Sequence, residues 1–303
     1  MRQERKVLTG RRIGVFGKGG SGKSTATVLL AQTLQKRGYD VCVLDADSTN
    51  LGLHRALGLT QAPTPLLDYF GGMVFSGGQV TCPVDDPTPL AGATIHVAQL
   101  PTQLYRRSEE GILFLAAGKI GDQGPGAGCD GPVAKIARYV RIQLNADHPV
   151  TLIDFKAGFD DSARGAVTSV DWALVVVDPT LAAIQMASHM QTMVEQIKAG
   201  VPPATRHLKT PGLVVWAQRI FRESKVKDAL VILNRIKDAE IERFVSAAFA
   251  EKGLEPIGVI HEDPTIAMSW LEGTRVDAPG VQADVESIVD RLEAVADTTP
   301  VSA

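Results

Sequence analysis

The sequence predicts an α/β protein with a mostly parallel sheet covered by helices on both faces. Three observations carry that prediction. Apolar runs of strand length recur at 12–16, 39–44, 111–115, 150–155, 172–177, 229–233 and 257–260, and they are near-continuous rather than alternating, as strands buried on both faces are. Helix-forming stretches separate most of them, which is the order of βαβ units. Two of the runs deliver aspartates, Asp45 and Asp154, to the edge where ligands bind in open parallel sheets.

Composition bounds the rest. A chain of 303 residues suits one large domain over 1–303, with frayed ends at 1–10 and 297–303 and an irregular excursion at 60–110. The net charge of −3 gives no global reason to expect nucleic acid or anionic membrane as a partner. The first twelve residues are basic through Arg2, Arg5, Lys6, Arg11 and Arg12; without the apolar run of a signal peptide they read as a frayed cytoplasmic start. No apolar stretch has the length of a membrane span. Three widely spaced cysteines, Cys42, Cys82 and Cys129, argue against a disulfide framework and for a reducing compartment.

The first strand, Arg12 to Phe16, runs into Gly17-Lys18-Gly19-Gly20-Ser21-Gly22-Lys23-Ser24-Thr25 and then into a helix. Glycines let backbone N–H groups curl around an anion, and the helix presents its positive end to the same charge. In such a phosphate loop Lys23 reaches the β- and γ-phosphates of a nucleotide and the Ser24 hydroxyl meets Mg²⁺. The loop also carries Lys18 directly after its first glycine.

With that second lysine the sequence resembles the deviant phosphate-loop ATPases, a SIMIBI-like group that includes the nitrogenase iron protein, MinD, ParA, the arsenite and tail-anchored-protein ATPases and the CooC-type nickel-inserting ATPase of carbon monoxide dehydrogenase maturation. The resemblance implies an ATP-dependent homodimer in which Lys18 reaches the partner's phosphates and makes hydrolysis wait for assembly. Asp45-Ala46-Asp47-Ser48-Thr49-Asn50-Leu51 is similar to the family's first switch. There Asp47 would orient the attacking water and Asp45 would support Mg²⁺ through water. The residues alone leave open that one or both aspartates cap a helix around Asn50 to Leu57.

Within the excursion, Thr94 to Val97 reads as a strand. After the run at 111–115 comes a glycine-rich stretch, 121–132, and a helix expected over Val133 to Leu144 with Pro132 in its first turn. In the nickel-inserting ATPases the equivalent stretch holds a Cys-x-Cys pair at the dimer interface. Cys129 matches the first cysteine and Gly131 stands where the second belongs. A symmetric dimer would thus offer two Cys129 thiolates, enough to share Ni²⁺ or Zn²⁺ with outside ligands or to act as a redox pair, and short of four-ligand closure.

The strand at 150–155 ends in Asp154 and leads to Gly158; by resemblance to the second switch, Asp154 would hold a Mg²⁺-bound water and Gly158 would sense the γ-phosphate. Lys156 and Asp161 depart from the nickel-inserting pattern, which has an acid and a histidine there. Next come a strand at Trp172 to Val177 and a helix from Leu181 to about Ala199, in which Met186, Met190 and Met193 are spaced for core packing. The stretch 201–228, apolar and basic by turns, reads either as a partner-docking element or as a packed helix with a solvated face.

Asn234 and Arg235 follow the strand at 229–233 and resemble the family's adenine-reading end. The loop from His261 to Pro264 is expected to close over the base, and the tail from Val281 to Ala296 is an acidic amphipathic helix, whereas membrane anchoring favours a basic one. The resemblance as a whole implies an ATP- and Mg²⁺-using switch protein, best matched to metalloenzyme maturation with a client metalloenzyme. The alternatives are a MinD/ParA-type positioning ATPase and an electron-transfer ATPase like the iron protein.

Overall fold

A computed structural model describes residues 6–119, 129–144 and 148–298. Along the chain the elements are β1 (Arg12–Gly17), α1 (Lys23–Lys36), β2 (Val41–Ala46), α2 (Leu53–Ala56), α3 (Leu66–Tyr69), β3 (Thr94–His96), β4 (Arg106–Arg107), β5 (Leu113–Ala116), α4 (Gly131–Tyr139) and β6 (Arg141–Gln143). They continue with β7 (Val150–Phe155), α5 (Asp160–Ala163), β8 (Trp172–Val177), α6 (Leu181–Lys198), α7 (Pro211–Arg222), β9 (Asp228–Ile236), α8 (Ala239–Ala250), β10 (Pro256–His261), α9 (Pro264–Glu272) and α10 (Gln282–Asp297). The main sheet has the order β10-β9-β8-β1-β7-β2-β5-β4. Its pairings are parallel except for β4 against β5.

Continuous apolar strands make sense here because each face has its own core. In β1 and β7, Ile13, Val15 and Leu152 pack on the side of α1 and α10, and Phe16, Ile153 and Phe155 on the side of α4, α6 and α8. Phe16 and Phe155 stack with centroids 4.6 Å apart. Gly14 permits this, since a Cβ there would lie 2.7 Å from the Phe16 ring. Met186 and Met190 are buried and Met193 packs against the same core, the packing role that their spacing predicts.

Three expectations need correction. Leu8 is fully buried, and Arg11 and Arg12 are almost so, so the chain is anchored from Leu8 onward rather than frayed to residue 10. Arg11 pairs with Asp171 at 3.1 Å. The helix expected to run to Leu144 stops at Tyr139. Arg12 supplies the reason: its guanidinium donates to the carbonyls of Ala137 (2.8 Å), Val140 (2.7 Å) and Ser169 (3.0 Å). Capped in this way, the chain turns at Val140, and Arg141 to Gln143 pair in parallel with β3. The expected strand at Thr94 to Val97 therefore exists but belongs to a separate two-stranded sheet. Finally, Asp45 and Asp47 cap no helix, because α2 begins only at Leu53 behind Gly52.

The excursion is pinned to α4 by Lys135, which is 4% exposed and donates to Thr81 Oγ1 (2.9 Å) and to the carboxylate (2.9 Å) and carbonyl (3.0 Å) of Asp86. Burial works to raise the Asp86 pKa, but hydrogen bonds from Thr88 and Lys135 outweigh it and bring the carboxyl down to about 2. A folded value below the unfolded one stabilises the protein above the unfolded pKa, and the contribution is lost as pH falls toward the folded value. Lys135→Met is expected to cost about 1–3 kcal/mol at pH 7 and to speed proteolysis within 81–88. Denaturation at pH 7 and pH 3 checks this: the gap between wild type and variant should narrow at pH 3.

Candidate functional site

The C-terminal ends of β1, β2, β7 and β9 meet at one edge, and the first βα turn lies there. Gly17, Gly20 and Gly22 have positive φ (156°, 82° and 90°), and a Cβ on Gly22 would fall 2.1 Å from Asn234 Nδ2. No other residue fits that approach. Ser21 N–H donates to the Lys18 carbonyl at 3.2 Å, which curls the loop. Lys23 opens α1 and is only 6% exposed, while Lys18, Gly19 and Gly20 are exposed at the loop's tip.

Below the loop, Ser24 Oγ donates to Asp154 Oδ2 at 2.6 Å and accepts from Asn50 Nδ2 at 2.8 Å. Asp154 Oδ1 and Ser21 Oγ are buried without a hydrogen-bond partner. An orphaned buried carboxylate oxygen is costly unless something positive meets it. Burial, partly offset by Ser24 and Lys23, pushes the Asp154 pKa up to about 6. A divalent cation seated beside Ser24 answers that need, so the residues present fit Mg²⁺.

Asp45, paired in register with Asp154, has another partner. Lys119 donates to Asp45 Oδ2 at 2.6 Å and also to the carbonyls of Asp47 (2.6 Å) and Asn50 (2.5 Å). Burial, opposed by Lys119, brings Asp45 to about 7. Asp47 is 7% exposed; its Oδ1 accepts from the backbone N–H and hydroxyl of Thr49 at 3.0 and 2.7 Å, and its own N–H donates to Asp45. These bonds fix Asp47 within its own turn, near enough to Asp154 for its charge to help raise that carboxyl's pKa. Gly158, at φ 93°, donates its N–H to the Gly17 carbonyl at 3.1 Å.

Asn234 and Arg235 meet the loop from the other side. Asn234 Nδ2 donates to the Ser21 carbonyl and Arg235 Nη1 to that of Gly20, each at 2.7 Å. Both line a cavity of about 810 Å³ with Thr25, Pro264, Ile266 and Trp270. Trp270 Nε1 donates to Thr25 Oγ1 at 2.9 Å, placing an indole ring in the wall of this cavity.

The two departures in the second switch find partners within the chain. Lys156 pairs with Asp130, which also accepts from Ser48 Oγ. One carboxylate thus ties the first switch, the second switch and the residue after Cys129 together. Asp161 accepts from the Lys156 N–H.

Most of the glycine-rich stretch, 120–128, lies outside the described residues, but Cys129 does not. Its Sγ accepts from the Gly131 N–H at 3.3 Å. At Gly131 an added Cβ would sit 2.6 Å from Cys82 Sγ. With standard bond lengths the two sulfurs lie within about 9 Å of each other. Cys82 is thus a spatial neighbour of Cys129 that the sequence did not announce. Cys82, 47 residues upstream in the excursion, occupies the space that a side chain at 131 would take. The third cysteine, Cys42, is a core residue whose thiol burial pushes up to about 12.

Sequence reasoning missed Lys119, Asn50, Trp270 and Cys82. A signal existed for Lys119, a charge just past a buried strand, at the same edge as Asp45. For Cys82 there was none, since its neighbour in space is a glycine.

The family described as the CobQ/CobB/MinD/ParA nucleotide binding domain matches residues 15–276. An uncharacterised ATP-binding protein of Methanocaldococcus jannaschii is 31% identical over 188 residues, covering 61% of this chain and 74% of the relative. The carbon monoxide dehydrogenase accessory protein CooC of Rhodospirillum rubrum is 27% identical over 186 residues, covering 61% and 70%. Among solved structures, the Aquifex aeolicus MinC:MinD cell division complex aligns over 97% of this chain and 98% of its own with a TM-score of 0.56 at 20% identity, a likeness of fold.

Proposed function

Because the chain belongs to the CobQ/CobB/MinD/ParA nucleotide-binding family, we propose that it is a Mg²⁺-dependent ATPase that pairs with a second copy around ATP and serves the maturation of a metalloenzyme. The observation that carries the ATPase reading is the convergence of Lys23, Ser24, Asp47 and the orphaned Asp154 oxygen beneath one glycine loop. The loop N–H groups and Lys23 bind the phosphates, and Asn234, Arg235 and Trp270 frame the base. Ser24 would hold Mg²⁺ directly and Asp154 through water, and the ion would supply positive charge to the phosphates. Asp45 would join them only when Lys119 withdraws, which makes Lys119 the residue that changes partner as the site fills.

Asp47 orients a water whose oxygen attacks the γ-phosphorus while the bond to the β–γ bridging oxygen breaks, giving ADP and phosphate. Lys18, exposed at the loop tip, reaches a second copy rather than its own phosphates. Gly158 reports the γ-phosphate through its bond to Gly17, and the Ser48–Asp130–Lys156 contacts carry that report to Cys129. A protein that uses ATP and keeps its cysteines free suits the cytoplasm. Against the positioning alternative, α10 buries its apolar face, including Val285, Ile288 and Leu292, which leaves that face no lipid to meet. Among the described residues no helix is long and apolar enough to cross a membrane.

Maturation is supported by the likeness to CooC and by the neighbouring thiols of Cys129 and Cys82. Two thiols per subunit give a dimer four, the number that closes a tetrahedral site for Ni²⁺ or Zn²⁺ as cargo. Anaerobic titration of the protein, sized with ATP and with ADP, tests this. The expected result is one ion per ATP-bound dimer with proton release, loss of binding in Cys129→Ser and weakening in Cys82→Ser. Equal binding by wild type and Cys129→Ser would favour ATP-driven remodelling of a client without metal transfer.

A further inference from the structure

The chain leaves β5 alongside β2, with Ala116 in register with Asp45 and the Ala117 N–H donating to the Asp45 carbonyl at 2.8 Å. It then passes between α3 and α4 at Gly118, where a Cβ would lie 2.7 Å from Val133 Cγ2 and 3.3 Å from Leu67 Cβ. A side chain there would push the chain off this path. The sheet itself therefore delivers Lys119 to the first switch. The Lys119 side chain is 19% exposed and that of Asp45 3%. An ammonium has three donors, and the Asp45 carboxylate and the carbonyls of Asp47 and Asn50 use all of them.

Asn50 carries this tie across to the phosphate loop. While Lys119 holds its carbonyl, its Nδ2 donates to Ser24 Oγ at 2.8 Å, and the Ser24 hydroxyl gives its one proton to Asp154 Oδ2 at 2.6 Å. The groups that fit Mg²⁺ thus have internal partners: Asp45 a fixed positive charge, Ser24 a donor on its oxygen. Asp154 Oδ1 is left without one. Mg²⁺ dehydrates reluctantly and is usually held by one or two carboxylates together with substrate phosphates, so a single orphaned oxygen is a poor site by itself.

We propose that Lys119 stands in for the divalent cation in the nucleotide-free protein, holding the first switch closed and excluding Mg²⁺ until ATP brings it. Phosphate oxygens supply the coordination that the protein lacks. Lys119 and Asn50 then give up Asp45 and Ser24 together, since the Asn50 carbonyl is held by the same ammonium. The first switch is released in the same event, so metal and nucleotide enter as a unit. Lys119 is here a positioning residue, acting through Asp45 and Asn50, and the proposal rests on the reading of Ser24 and Asp154 as the Mg²⁺ site.

The test is calorimetric titration of the nucleotide-free protein with Mn²⁺ as the probe, on wild type, Lys119→Met and Lys119→Gln. The glutamine keeps a donor for the carbonyls should the methionine variant fail to fold. Both variants are expected to take up one ion per chain about 10–100-fold more tightly than wild type, the worth of the charged hydrogen bonds removed. A merely structural lysine would not create a metal site when lost. Adding Asp154→Asn to Lys119→Gln should abolish the gain. In wild type, Mn²⁺ alone should leave the Tm unchanged, and with ATP it should raise the Tm beyond the effect of ATP. Equal Mn²⁺ affinity in nucleotide-free wild type and both variants, or a gain that survives Asp154→Asn, would overturn the lock. The two failures separate: if Mn²⁺ with ATP still raises the wild-type Tm, only the lock falls, and if it does not, the reading of the Mg²⁺ site falls with it.

Discussion

Lys18→Ala is expected to keep ATP binding and to lose hydrolysis by a factor on the order of 10³–10⁵, the worth of a positive finger supplied in trans. The two lysines of the loop are placed for different work. Lys23 is buried inside the loop, whereas Lys18 is exposed at its tip, and the proposed mechanism has it meet a second copy there. Removing it leaves the loop N–H groups, Lys23 and Ser24 intact, so affinity survives and assembly-dependent turnover does not. Asp47→Asn separates the two roles. The Thr49 contacts that hold residue 47 need only an acceptor oxygen, which asparagine keeps, but the weaker base fails to orient water and traps an ATP-bound dimer. Sizing both variants with ATP and with ADP, alongside turnover, checks the pair: monomer for Lys18→Ala, persistent dimer for Asp47→Asn. Normal turnover in both would refute the mechanism.

Lys23→Ala is expected to abolish tight nucleotide binding altogether. At nucleotide a hundredfold above its dissociation constant the wild type should gain about 2.7 kcal/mol of stability, and the variant should gain almost none. Neutral backbone donors cannot replace a full charge on the β- and γ-phosphates. The substitution also leaves Asp154 with one positive neighbour fewer, since Lys23 is among the groups that hold its pKa down. A thermal-shift titration with Mg²⁺ and ATP reads the difference directly, and an equal ATP-dependent shift in wild type and variant would remove the phosphate-loop assignment.

What was legible before the structure was whatever a short stretch encodes by itself. The loop from Gly17 to Thr25 is such a stretch, because its glycines, lysine and serine act on one ligand through neighbouring backbone. Strand ends are another. Asp154 could be assigned to the edge because a buried parallel strand delivers its last residue there, and it does meet Ser24. The helix at 133–144 failed for the opposite reason. Local propensity continued it, but Arg12, more than a hundred residues away, takes the carbonyls of Ala137 and Val140, and β3 offers Arg141 to Gln143 a ladder instead. In the sequence the same Arg12 is one of five basic residues among the first twelve. Its burial depends on three carbonyls that only the folded chain assembles.

By itself, then, the sequence determined the fold class, the phosphate loop and the edge at which the acids gather, because each rests on periodicity or on contacts between near neighbours. The tertiary structure decided which charges share a partner and which empty spaces are filled. Lys119 answers Asp45, Asp130 answers Lys156, and Cys82 stands at Gly131. These pairings join residues far apart in the chain through side chains or through the absence of one. No spacing rule relates such positions, since their separation along the chain is set by connecting loops and their separation in space by packing.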